Sequence, residues 1–136
     1  MATRKFASLI LAASFTSTTV ASDDGWTVVF AKTDTNEYTM KVDSFEVTTT
    51  KGGDEVASVI GRDMDTKKNR VTVEKWYVKT TDCTKGYGTL VTLSITGEYK
   101  YENSFVKKDG SIGAAIADVI CGVHKVLKEE AAKKSL

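Results

Sequence analysis

The stretch YGTLVTLSITGEYKYENSFVKKDGSIGAAIADVICGVHKVL, residues 87–127, changes its hydrophobic period once, and that change decides the fold. Tyr87, Thr89, Val91, Leu93 and Ile95 recur at every second position, the period of a half-buried strand. Thr96-Gly97 reads as a tight turn. Tyr99, Tyr101 and Phe105 then alternate with Lys100, Glu102 and Ser104 along a further strand. After the turn Lys107-Lys108-Asp109-Gly110, Ser111 is a fair helix N-cap. Ile112, Ile116, Val119, Ile120, Val123 and Leu127 follow helical spacing. At about 100° per residue they form one stripe, able to pack on one face of a sheet. The segment Lys125 to Lys134 is rich in lysine and alanine. Its charges suit the negative end of a helix, and it is expected to fray into solvent.

Upstream, the same period-2 signal recurs. Trp26 to Lys32 is rich in β-branched and aromatic residues, and Asp34 to Glu37 is a turn cluster. Tyr38 to Asp43 alternates, a threonine run and Lys51-Gly52-Gly53-Asp54 break the chain, and Glu55 to Arg62 resumes it. Asp65 to Asn69 is a polar turn before the long strand Arg70 to Lys79. Thr80 to Gly86 reads as a loop. Short connections favour antiparallel neighbours, and no helical stretch is read between the strands, which argues against a βαβ arrangement. The reading is α+β: a six-stranded antiparallel sheet with a C-terminal helix packed on one face.

One helix covers one face. Along Arg70–Lys79, Val71, Val73 and Tyr77 lie on one side, and Trp76 and Val78 on the other. Trp76 and Val78 are therefore the candidate interface, on a face left for a partner. Lysine and glutamate stems lying over these side chains are the competing explanation. As an interface residue, Trp76 replaced by alanine would weaken association or dimerisation without unfolding the domain.

The N-terminus has the three parts of a secretory signal. Arg4 and Lys5 are the positive region, Phe6 to Phe15 a short apolar run, and Thr19-Val20-Ala21-Ser22 the small residues of a cleavage region. The apolar run falls well short of the roughly 20 residues of a spanning helix. Residues 1–22 are read as the signal and residues 23–136 as the exported domain, with cleavage after Ala21 or Ser22. Location is then the periplasm or the cell surface. Without Arg4 and Lys5, 17 basic residues face 18 acidic ones, a balance that argues against nucleic acid as the partner. No second apolar run follows, so no membrane span is expected.

Cys83 and Cys121 both lie in the exported part. An even count in an oxidising compartment points to one disulfide, with two free thiols or a metal pair as rivals. The bond would close a loop of about 37 residues. That is roughly 3–4 kcal/mol by chain entropy. On the helical wheel Cys121 falls about 150° from the stripe, beside Ala114 and Ala117, so the bond is expected at the flank or back of the helix.

Six strands, a helix and this cysteine pair together are similar to the surface-adhesin protein E family of bacterial exported proteins. Trp26 near the start, Tyr38 followed by Val42-Asp43-Ser44, the turn Lys51-Gly52-Gly53, Asp82-Cys83 and Val119-Ile120-Cys121 carry the resemblance. It implies a helix held across the concave face of the sheet by the disulfide, and an adhesin that binds host matrix proteins. Two departures stand out: the helix runs well beyond Cys121, and no lipid-attachment cysteine is present.

The residues that carry chemistry form no catalytic or metal constellation. His124, the lone histidine, needs a nucleophile and an orienting acid to act as a base and reads better as a boundary residue. Gly86-Tyr87-Gly88 opens a strand and not a helix, so it reads as a turn and not a phosphate cradle. Asp43, Asp63 and Asp65 could act together only if the fold brings them together, and Asp63-Met64-Asp65 lacks the remaining ligands of a calcium loop. The expectation is a non-enzymatic binding module without cofactor, recognising another protein in an adhesin-like way, with homodimerisation as one form of association. The alternative is a periplasmic small-ligand carrier, or an inhibitor of a secreted hydrolase. The carrier would need a polar cluster between sheet and helix, where mostly Ile and Val are expected.

Overall fold

The computed structural model describes residues 25–134. The predicted signal, residues 1–22, lies outside them. Strands β1 (Ala31–Lys32), β2 (Asn36–Met40), β4 (Glu55–Asp65), β5 (Arg70–Lys79), β6 (Tyr87–Ser94) and β7 (Tyr99–Val106) follow one another across an antiparallel sheet. A further strand, β3 (Glu46–Thr49), pairs with β4 off that path. The sheet curls into a half-barrel, and the C-terminal helix α2 (Ile112–Lys134) lies on its concave face.

β3 arises because β2 and β3 line the same edge of β4. Met40 faces Gly61 and Glu46 faces Ser58, so residues 41–45 bulge out over only two residues of β4. Asp43 turns the bulge with a φ of 72°, a left-handed conformation that aspartate tolerates. The threonine run read as a break is thus a strand. The first predicted strand shrinks to β1 and one bridge between Trp26 and Lys41. The predicted loop at Thr80–Gly86 is a short helix, α1 (Thr80–Lys85), closed by Gly86 at a φ of 85°.

Registers fix the two faces. Val59 faces Trp76, Ala57 faces Val78 and Val78 faces Leu90, so these side chains share the concave side. Ala114, Ile116, Ala117 and Ile120 of α2 close over them, with Met40 and Phe105 at the margins. This overturns the interface reading of Trp76 and Val78, which are 1% and 0% exposed. Alternation separates the two faces correctly; the helix covers the tryptophan face and leaves Val71 and Val73 outside.

The helix also presents a different face from the predicted stripe, rotated by roughly 80° at 100° per residue. Val123 and Leu127 are exposed, and Ala114 and Ala117 are buried. Alanines let the helix backbone approach a sheet that already holds an indole, where larger side chains would overpack. Cys121 then falls on the half-buried side against the core, and its bond to Cys83 ties α2 to α1.

Gly61 makes room for Trp76. A Cβ there would stand 2.0 Å from the indole ring. Gly61→Ala is expected to cost about 1–3 kcal/mol or more by overpacking, read as a drop in the urea midpoint with the slope unchanged.

Candidate functional site

The concave face is not fully covered. At the start of α2 a cleft of about 340 Å³ opens between the helix and strands β5–β7. Trp76, Leu90 and Ile116 supply its apolar lining, and Tyr38, Glu74 and Tyr101 its polar one.

Glu74 follows Trp76's alternation, so β5 points a carboxylate to the inside. It is 4% exposed. The Trp76 indole Nε1 donates to Glu74 Oε1 at 3.2 Å, and Lys100 Nζ donates to Oε2 at 2.7 Å. Lys100 reaches inward because of a bulge: Thr92 faces Tyr101 while Leu93 faces Tyr99, which leaves Lys100 as an extra residue in β7. A bulge re-aims side chains in this way. An ion pair with one buried partner seldom stabilises more than apolar residues of the same volume would. Removing one partner, however, strands the other. Lys100→Met is expected to cost about 1–3 kcal/mol in urea unfolding, below the range for fully buried pairs because the lysine side chain is about one-third exposed.

Tyr38 and Tyr101 stand on β2 and β7, at the two sides of the cleft. Burial first, then the Asp63 carboxylate, raises the Tyr38 pKa above 10.0. Burial and Glu74 raise that of Tyr101, against a lowering hydrogen bond with Thr92. The hydrogen bond to Glu74 raises Lys100, against desolvation. All three hold their protons more tightly when folded. Their contribution to stability is full below about pH 10, the unfolded tyrosine value, and is lost as pH rises through the folded values. Alkaline unfolding followed by circular dichroism should therefore begin above about pH 10. The double variant Tyr38→Phe/Tyr101→Phe should flatten that slope.

The residues singled out from sequence are scattered. Asp63 accepts a hydrogen bond from Asn36 Nδ2 at 2.6 Å, and Asp65 Oδ1 accepts from the Lys67 and Lys68 amides in a turn. Asp43 sits in the bulge. Gly88 opens β6, where a Cβ would lie 2.1 Å from Asp82 Oδ2, so this glycine serves packing. His124 is half-buried in a separate cleft near the disulfide. No group of three or more metal-ligating side chains assembles among the described residues. No described helix is long and apolar enough to cross a membrane.

Strand periodicity alone does not bring Glu74, Lys100, Tyr38 and Tyr101 together as a site. Glu74 was legible in principle, since it lies two residues before Trp76 on the same strand face. Lys100 was not, because an unbulged β7 would alternate it away from Tyr101. Compared with family models, curated proteins and solved structures, the chain finds no match in any of the three.

Proposed function

We propose that this chain is an exported, non-catalytic binding module that carries a small polar molecule in the cleft between Tyr38, Glu74 and Tyr101. The observation that carries the reading is Glu74: a charged side chain buried beside an open cleft, where the fold gains little from it. Concave sites with an apolar floor and a few convergent polar groups are where small ligands bind. Both Glu74 oxygens are already engaged by Trp76 and Lys100, which suits holding a ligand better than moving a proton. The tyrosine and tryptophan rings favour a ligand with a flat face, and the polar groups one with both donors and acceptors. The Cys83–Cys121 bond is of a kind that persists outside the reducing cytosol, which supports export to the periplasm or cell surface.

A thermal-shift screen with free amino acids, small amides and nucleobases tests this. A ligand at 100 times its Kd adds about 2.7 kcal/mol of stability. The expected result is a raised Tm with at least one compound, lost in Glu74→Gln. A compound that stabilises Glu74→Gln equally, or a panel without any shift, contradicts the reading.

A second reading is a protein partner, in the adhesin-like manner that the resemblance to the protein E family implies. The outer face of the sheet supports it. Val71 is 53% exposed, and Val73, Ile95 and Tyr99 are also exposed. Leu93 faces Lys75 on β5 and Tyr99 on β7, so this outer side spans β5 to β7 with Lys75 set among its apolar residues. Its occupant would be an apolar surface of a host matrix protein. Val73→Lys should then abolish binding to immobilised matrix proteins while leaving the Tm within a few degrees; unchanged binding removes this face from consideration.

A further inference from the structure

We propose a second binding site, further along α2, for a compact multivalent oxyanion bearing phosphate or sulfate groups. It does not rest on the Tyr38–Glu74 cleft, and neither result decides the other.

The site is the cleft of about 390 Å³ between α1, the β7–α2 turn and α2 from Asp118 to Lys128. The two cysteines of the disulfide and Phe105 belong to its lining. Lys107 and Lys108 enter from the turn, and His124, Lys125 and Lys128 from the helix. Residues 121, 124, 125 and 128 fall within about 100° of one another on the helical wheel, so the helix brings these side chains to the same side as its cysteine.

The turn is held in the position that makes the cleft. The Lys107 amide donates to Gly86 O at 2.8 Å, which anchors the turn to the end of α1. The Lys108 amide donates to Asp118 Oδ2 at 3.2 Å, and Lys108 takes a φ of 62°. A left-handed lysine is sterically disfavoured and is kept here by its surroundings.

Charge points to the ligand class. Four lysines line the cleft against two carboxylates, Asp82 and Asp118. Both carboxylates are engaged: Asp82 pairs with Lys85 at 3.3 Å and accepts the Thr89 amide, and Asp118 accepts the Lys108 amide. Among the described residues, none of the four lysines takes part in a salt bridge. Like charges gathered around a concavity repel one another and raise the local concentration of counter-ions. Lysines supplied from both sides suit an anion with several charged oxygens better than a single carboxylate.

The test is a titration of the 15N-labelled full domain with inorganic triphosphate and, separately, with a sulfated heparin disaccharide, at 0.15 M salt. Saturable shifts at the amides of Lys107, Lys108, His124 and Lys125 are expected with at least one of them. The tighter binder assigns phosphate or sulfate as the source. Lys125→Gln/Lys128→Gln lies on exposed helix and should fold normally while weakening binding about tenfold, whereas the remote control Lys67→Gln/Lys68→Gln should not. Equal weakening by the control, shifts spread over every lysine, or no saturable binding by either anion overturns the proposal.

Discussion

Trp76→Ala is expected to destabilise the domain by about 3–5 kcal/mol, the range for truncating a buried large aromatic. Trp76 has the largest side chain in the fully buried core. Its ring lies against the Gly61 backbone, meets Phe30 edge-on at 6.5 Å between centroids and Tyr38 at 6.4 Å, and donates to Glu74. Removing it opens a cavity on the concave face, between the sheet and α2, and takes away one of the two donors to a buried carboxylate. For a small domain holding about 5–15 kcal/mol in all, this is a large share. Urea unfolding should show the midpoint falling sharply. An interface role for Trp76 would give the opposite pattern, with unchanged stability and lost association.

Cys83→Ala/Cys121→Ala is expected to cost about 3–4 kcal/mol, for a loop closed across a separation of 38 residues. The effect should concentrate on α2. The helix fully buries four side chains, two of them alanine, and packs Ile112 and Val119 only partly against the core, so the disulfide adds substantially to what holds it. Without the bond, α2 should open at lower free energy than the strands. Amide exchange would show this as protection lost first between Ile116 and Val123. Uniform loss of protection across sheet and helix would contradict the idea that the disulfide chiefly retains the helix.

Trp76 and the two cysteines also show how far the sequence can be read. Strand alternation in Arg70–Lys79 separates inside from outside and the change of period at Ser111 marks the helix, but along Tyr99–Phe105 alternation fails at the bulge, which leaves Tyr99 outside and turns Lys100 toward Glu74. Alternation is symmetric, however, and does not say which face the helix takes. The large apolar residues of α2 suggested one stripe, whereas close packing on an indole selected the alanine side. For the same reason Trp76 and Val78 were read as an interface when they are core. The cysteine pairing followed from parity and compartment. The Glu74 cleft was hidden by two irregularities, the β7 bulge that turns Lys100 inward and the Asp43 bulge that splits β2 from β3. Both insert residues into a strand, and a period-2 reading cannot represent them.

The most direct test of the Tyr38–Glu74 cleft is an amide chemical-shift map of the 15N-labelled domain titrated with free amino acids and small amides. The account predicts saturable shifts at Tyr38, Glu74, Thr92, Tyr101 and Gly113, absent in Glu74→Gln, with Val71, Val73 and Ile95 on the outer face unmoved. Shifts confined to the outer face, or a Glu74→Gln variant that responds as the unmodified chain does, would contradict it.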